Sequence, residues 1–146
     1  MTDVHEPEVR SYIMSQIKSK DTKPEMIVRM FLFKKGYRYR LHVNSLPGNP
    51  DIVLQKYKTI IFVNGCFWHA HKNCKLNKLP KSKTEYWTPK ILGNVERDSK
   101  NELYLRKDGW NVITIWECEL SRANKSKTLT GLLRYLKKVD KKHEIY

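Results

Sequence analysis

Residues 60–74, IIFVNGCFWHAHKNC, constrain this chain more than any other stretch. An apolar run fit for a buried strand breaks at Asn64-Gly65, a turn-forming pair. Two cysteines, two histidines, a Phe and a Trp then follow within ten residues. Cys66, His71 and Cys74 have the spacing C-x4-H-x2-C, and Cys118, the remaining cysteine, follows a second apolar stretch at residues 110–117. Three thiolates and one imidazole from these positions suit a single tetrahedral zinc, two loop cysteines and a histidine being closed by one distant ligand. A plainer reading makes the cysteines small buried hydrophobes. A third pairs Cys66 with His69 as nucleophile and base, although no further group is placed to orient the histidine.

Charge limits the partners. Lys and Arg number 29 against 15 Asp and Glu, a formal net charge of +14. That excess attracts polyanions and makes binding salt-dependent, so nucleic acid is the expected partner. A membrane surface fits less well, because no segment joins a basic face to exposed bulky apolar residues. No run approaches a membrane span, and MTDVHEPEVR has neither the apolar core nor the cleavage site of a signal peptide. A cytoplasmic protein is expected, and there cysteines bind metal more often than they pair. With 146 residues the chain suits one domain with its own core.

The remaining elements follow in order. Val9, Tyr12, Ile13 and Ile17 share one face of a short helix over residues 9–19, either an arm or a helix docked on the core. Thr22-x-x-Glu25, with Pro24 between, reads as a capping box opening a helix through Met26, Ile27, Met30 and Phe31 to Gly36. Residues 37–41 alternate as a half-buried strand, residues 45–50 form a turn, and residues 51–54 and 59–63 are strands. Asp51, at a strand edge after a proline, either caps a turn or offers oxygen ligands to Mg²⁺. Residues 72–90 interleave lysines with Tyr86-Trp87, a pattern suited to phosphate contact and base stacking or to a solvated loop. A helix over residues 89–108 turns Ile91, Leu92, Val95, Leu103 and Leu105 inward and places Asn94, Arg97 and Asp98 on one face. Residues 110–117 are the clearest strand, and 128–142 an amphipathic helix with Leu129, Leu132, Leu133, Leu136 and Val139 inward. The order α-α-β-β-β-α-β-α predicts an α/β fold, one domain over 1–146, with a mixed sheet flanked by helices. Residues 1–20 form its arm and 21–146 its core.

Several groups along this path resemble one family. Arg10-Ser11 with Met14, Lys20-Asp21-Thr22-Lys23-Pro24-Glu25 and Leu46-Pro47-Gly48-x-Pro50-Asp51 come first. Phe62-Val63-x-Gly65-Cys66-Phe67-Trp68-His69, Tyr86-Trp87, Asn94-x-x-Arg97-Asp98 and Trp116-Glu117-Cys118 complete the series. In this order and spacing they resemble the very short patch repair (Vsr) DNA mismatch endonucleases. The resemblance implies a fold akin to the PD-(D/E)xK nucleases without their E-x-K pair, which this chain also lacks. It implies that Asp51 and the Val63 carbonyl hold Mg²⁺, that His69 is the general base, and that Glu25 orients water at the metal. It assigns Cys66, His71, Cys74 and Cys118 to a structural zinc. Phe67, Trp68 and Trp87, assisted by Met14, become wedges beside a T·G mismatch whose thymine strand is nicked on the thymine's 5′ side. Asn64, Asn94 and Arg97 are the expected phosphate contacts.

Three functions fit these residues: a mismatch-directed nicking enzyme acting as a monomer, alongside mismatch-repair proteins; a restriction-type endonuclease on matched duplex; and a zinc-stapled DNA-binding protein with lapsed chemistry. One departure bears on rate. The family pattern has histidine where this chain has Asn64, and asparagine donates a hydrogen bond but carries no charge and transfers no proton. Asn64→His is expected to preserve or raise the nicking rate in single-turnover assays. A large loss would mean that the site works differently.

Overall fold

The computed structural model describes residues 21–66, 71 and 84–145, with backbone only at 84–88 and 141–145. The helix expected over residues 9–19, and the lysine-rich segment up to residue 83, lie outside them. Among the described residues the order is α1 (Lys23–Lys34), β1 (Arg40–Leu41), β2 (Ile52–Leu54), β3 (Thr59–Asn64), α2 (Thr84–Lys107), β4 (Asn111–Trp116) and α3 (Lys125–Ile145). Short 3₁₀ turns at Gln55–Tyr57 and Glu117–Leu120 follow β2 and β4. The predicted mixed sheet is present, ordered β1-β2-β3-β4. The first two pairings are antiparallel, whereas β3 and β4 run parallel and are joined through α2, as a parallel crossover requires.

Strand alternation divides the core between the two faces. Ile52, Leu54, Ile61 and Ile115 meet Val28 and Leu32 of α1 and Leu129, Leu132 and Leu136 of α3 on one face. Val53, Ile60 and Val112 meet Leu105 of α2 on the other. The middle strand β3 is thus covered on both sides, and Ile60 and Ile61 are fully buried. No helix among the described residues is long and apolar enough to cross a membrane.

Three sequence expectations change in detail. The strand expected over residues 37–41 shrinks to Arg40–Leu41. Gly36, at φ +89, ends α1, and its N–H and that of Tyr37 bond back to the Phe33 and Leu32 carbonyls. This Schellman closure holds Tyr37 in the helix cap. In α1 the inward stripe is Glu25, Val28 and Leu32, while Met30 is 55% exposed. In α2 only Ile91 and Leu105 of the five expected inward residues are buried, and Leu92 (62%), Val95 (36%) and Leu103 (55%) face outward. That helix begins before Pro89, which lies inside it, and it meets the sheet along a narrow stripe only. The amphipathic C-terminal helix is present and longer than the expected 128–142, with Leu129, Leu132, Leu136 and Val139 buried and Leu133 only partly so.

The turn that delivers Asp51 depends on Gly48. Its φ is +80, and a Cβ there would sit 3.1 Å from Asn101 Nδ2 and 3.2 Å from the Phe62 ring. Only a residue without a side chain lets the turn lie against α2 and β3 in this conformation. Gly48→Ala should therefore lower unfolding free energy by about 1–3 kcal/mol, measured as a shift in denaturant midpoint. An unchanged midpoint would show that the turn is not held in this way.

Candidate functional site

Two groups of polar side chains flank the sheet near the end of β3. The first is built from the start of α1. The Thr22 hydroxyl accepts the Glu25 N–H at 3.3 Å, as the capping box predicts. The Glu25 carboxylate reaches back one residue further than the motif requires and accepts the Asp21 N–H at 3.2 Å. Glu25 is only 1% exposed. A charge so deep needs partners, and it has two: Arg29 Nη1 at 3.2 Å, one helical turn on, and His42 Nε2 at 3.1 Å. Arg29 also pairs with Asp21 at 2.7 Å, and Tyr39 donates its hydroxyl to the Arg29 carbonyl at 3.0 Å. The hydrogen bond from Arg29 holds the Asp21 carboxyl below its ordinary value, with desolvation opposing the shift and His42 adding to it. Ligand atoms of Asp21, Glu25 and His42 all lie within 4.8 Å of one another, but the Arg29 guanidinium already supplies the positive charge that a cation would bring.

Asp51 stands beside this group. It follows buried Pro50 and is itself half-buried. Its Oδ2 accepts the Val63 N–H at 2.7 Å, so the carboxylate is held at the main chain of β3. Its carbonyl accepts the His42 N–H at 3.2 Å. The structure thus brings Asp51 to Val63, the two positions that the family resemblance pairs.

The second group lies just beyond β3 and β4. Their parallel register sets Asn64 opposite Trp116, and two residues further along each strand come Cys66 and Cys118. The Cys118 N–H points at Cys66 Sγ at 3.4 Å. His71 Nδ1 lies 3.5 Å from Cys66 Sγ and 3.3 Å from Cys118 Sγ. The His71 N–H bonds to the Cys66 carbonyl at 3.0 Å, and its ring stacks on Trp116 at 4.2 Å and 7°. These contacts fix the side of the imidazole that faces the sulfurs. Cys66 and Cys118 are not joined in a disulfide, and their sulfurs with the His71 nitrogen form a group within 4.8 Å. The remaining zinc candidate, Cys74, lies outside the described residues.

Between α2 and the sheet is a cavity of about 420 Å³ reached by Asn64, His71, Asp98 and Trp116. On the exposed side of α2, Arg97 donates to the Asn94 side chain and, at 3.3 Å, to the Gly93 carbonyl. The expected shared face of Asn94 and Arg97 is therefore present. His69, Phe67, Trp68 and Met14 lie outside the described residues, as does the side chain of Trp87. Sequence reasoning missed Arg29 and His42. Arg29 had a signal, since residues 21, 25 and 29 recur at the helical i, i+4 spacing. His42 had none, because its position depends on strand register.

Comparison with known proteins bears on what such a site serves. The family model described as DNA mismatch endonuclease Vsr matches residues 2–76. The chain is 49% identical over 138 residues to the type II nicking enzyme V.NmeAIP of Neisseria meningitidis, covering 94% of this chain and 98% of that one. It is 43% identical over 120 residues to DNA mismatch endonuclease Vsr of Escherichia coli, covering 82% and 76%. The chain belongs to the Vsr DNA mismatch endonuclease family. The Vsr match includes Glu25, Asp51 and residues 66–74, and the longer alignment with V.NmeAIP covers most of the rest.

The Arg29–Glu25 pair can be tested independently of any activity. Removing one partner of a buried pair strands the other charge. Arg29→Met should destabilise the fold by about 3–5 kcal/mol, read from urea denaturation at neutral pH. Arg29→Met together with Glu25→Gln should recover part of that loss. A single variant as stable as wild type would show that the pair carries no such weight.

Proposed function

We propose that this Vsr-family enzyme is a Mg²⁺-dependent, strand-specific endonuclease that nicks DNA 5′ of the thymine in a T·G mismatch. The observation that carries the reading is the Asp51 carboxylate held 2.7 Å from the Val63 amide, with a second, buried acid, Glu25, tied through His42 to the main chain of Asp51. Hard oxygen donors of this kind suit Mg²⁺, which Asp51 and the Val63 carbonyl would hold. When bound, Mg²⁺ polarises the phosphate and eases deprotonation of the attacking water. The rest is the work of the chain itself. His69 takes the proton of that water, a role that an imidazole fills near neutral pH without special tuning. Asn64 donates to the scissile phosphate, and Asn94 and Arg97 bind the flanking backbone. The mixed sheet, with Asp51 directly before β2, is read as the PD-(D/E)xK type of core.

Recognition rests on stacking. A mismatch deforms more cheaply than matched duplex, so aromatic wedges from Phe67, Trp68 and Trp87, with Met14 on the arm, are better tolerated there. In sequence Phe67, Trp68 and His69 fall between Cys66 and His71, two members of the cysteine-histidine group that we assign to a structural zinc held by Cys66, His71, Cys74 and Cys118. Tetrahedral zinc with bonds of about 2.3 Å to sulfur and 2.0 Å to nitrogen separates the two ligand types by about 3.5 Å. The sulfur–nitrogen distances of 3.5 and 3.3 Å are close to that value. Four protein ligands leave no open position, so this metal serves structure. One active site nicks one strand, which fits a monomer; mismatch-repair proteins are the natural partners of such a nick.

End-labelled duplexes with and without a T·G pair test the reading. Wild type should cut only the thymine strand, beside the mismatch. His69→Ala should lose about 10²–10⁴-fold in rate while retaining binding, and Phe67→Ala should narrow the preference for mismatched over matched duplex. Cleavage of both strands of matched DNA would replace the proposal with a restriction-type activity. Tight binding without cutting would point to lapsed chemistry.

A further inference from the structure

The carboxylate of Glu25 has partners of two kinds. Asp21 lies just before α1 and Arg29 one turn beyond Glu25 within it, so they orient the carboxylate relative to its own helix and no further. His42 differs. It follows β1 directly and faces Asp51 across the β1–β2 ladder, where its N–H bonds to the Asp51 carbonyl at 3.2 Å. From that position its imidazole crosses to α1 and places Nε2 3.1 Å from Glu25 Oε2 and 3.4 Å from Asp21 Oδ1. Among the described residues, His42 is the one side chain that joins the Glu25 carboxylate to the strand pair carrying Asp51. Its main chain holds one acid and its side chain the other.

The backbone supports this purpose. His42 has φ +49, in the left-handed region that non-glycine residues enter at a cost. A β conformation would continue the strand and send the side chain elsewhere. The side chain is 22% exposed, so its bond to Glu25 is partly shielded from water. Both Glu25 and Asp21 accept only, so Nε2 carries the proton in this arrangement.

We infer that His42 is a positioning residue for the nicking reaction, fixing the Glu25 carboxylate at a set distance from Asp51. The inference rests on the proposed roles of those two acids. Catalytic groups displaced by about 1 Å lose on the order of 10²-fold in rate, so a tie between separate elements matters even when it never touches substrate.

Two substitutions separate positioning from folding. Asparagine tolerates the left-handed backbone but is too short to reach Glu25, whereas glutamine places an N–H donor at about the reach of Nε2. His42→Asn should lower kcat on a T·G duplex by about 10–100-fold, leave KM for that duplex within about twofold, and raise the Mg²⁺ concentration that gives half-maximal rate. His42→Gln should recover most of the rate. A purely structural role would instead lower the melting temperature and scale the amount of active enzyme, with no change in Mg²⁺ dependence. His42→Asn with wild-type kcat, or His42→Gln no better than His42→Asn, overturns the inference. Glu25→Ala measured alongside locates the failure. If Glu25→Ala is inactive while His42→Asn is normal, the positioning role alone falls. If Glu25→Ala nicks at full rate, the assignment of Glu25 falls and takes this inference with it.

Discussion

The parallel pairing of β3 with β4 is the constraint on which the rest of the site depends. It runs from Thr59 opposite Asn111 to Asn64 opposite Trp116, and both strands contribute fully or largely buried residues to the two halves of the core. Because side chains alternate, a slip by one residue would turn every apolar group to the wrong face. The same register that burial enforces brings Cys66 and Cys118 together just past the strand ends, 52 residues apart in sequence. It also presents Trp116 as the surface on which His71 stacks. Core packing thus determines where the two sulfurs and the imidazole proposed to hold zinc meet.

On the other side of β3 the controlling term is electrostatic. Glu25 lies in the core-facing stripe of α1 with Val28 and Leu32, a position that a carboxylate occupies at a cost. Arg29 and His42 offset that cost, and each makes the carboxylate point in a defined direction. A hydrophobic residue would pack there as well or better. Retention of a charged network at that depth fits a use beyond stability, consistent with the proposed catalytic role. Asp51, held by the Val63 amide, is the second fixed acid. The two meet where His42, just past β1, bonds to Asp51, just before β2, at the end of the strand pair, which gives the chemistry a support close to the sheet.

Local features were the legible ones. The Thr22–Glu25 cap, the strands around residues 52–63 and 111–116, and the amphipathic C-terminal helix follow from short-range chemistry and from strand or helix period. Leu92, Val95 and Leu103 did not follow, because helical spacing alone does not say which face meets the sheet, and α2 uses a narrow one. Tyr37 looked like a strand residue but is held by the Gly36 closure of α1. The site divides similarly. The cysteine and histidine spacing pointed to a group of which Cys66, His71 and Cys118 do come together, and the capping box pointed to Glu25 at the start of α1. The role of Glu25 in a buried ion network, and the place of His42 within it, required the β1–β2 register. That is information carried by tertiary structure alone.

We propose that the β3–β4 register closes a zinc staple at Cys66, His71, Cys74 and Cys118, next in sequence to the proposed base His69 and the wedges Phe67 and Trp68. Native mass spectrometry of protein purified without added metal tests it most directly. The account predicts the polypeptide mass plus one zinc, lost when Cys118 is replaced by serine. A metal-free chain, as stable before chelator treatment as after it, would contradict the account.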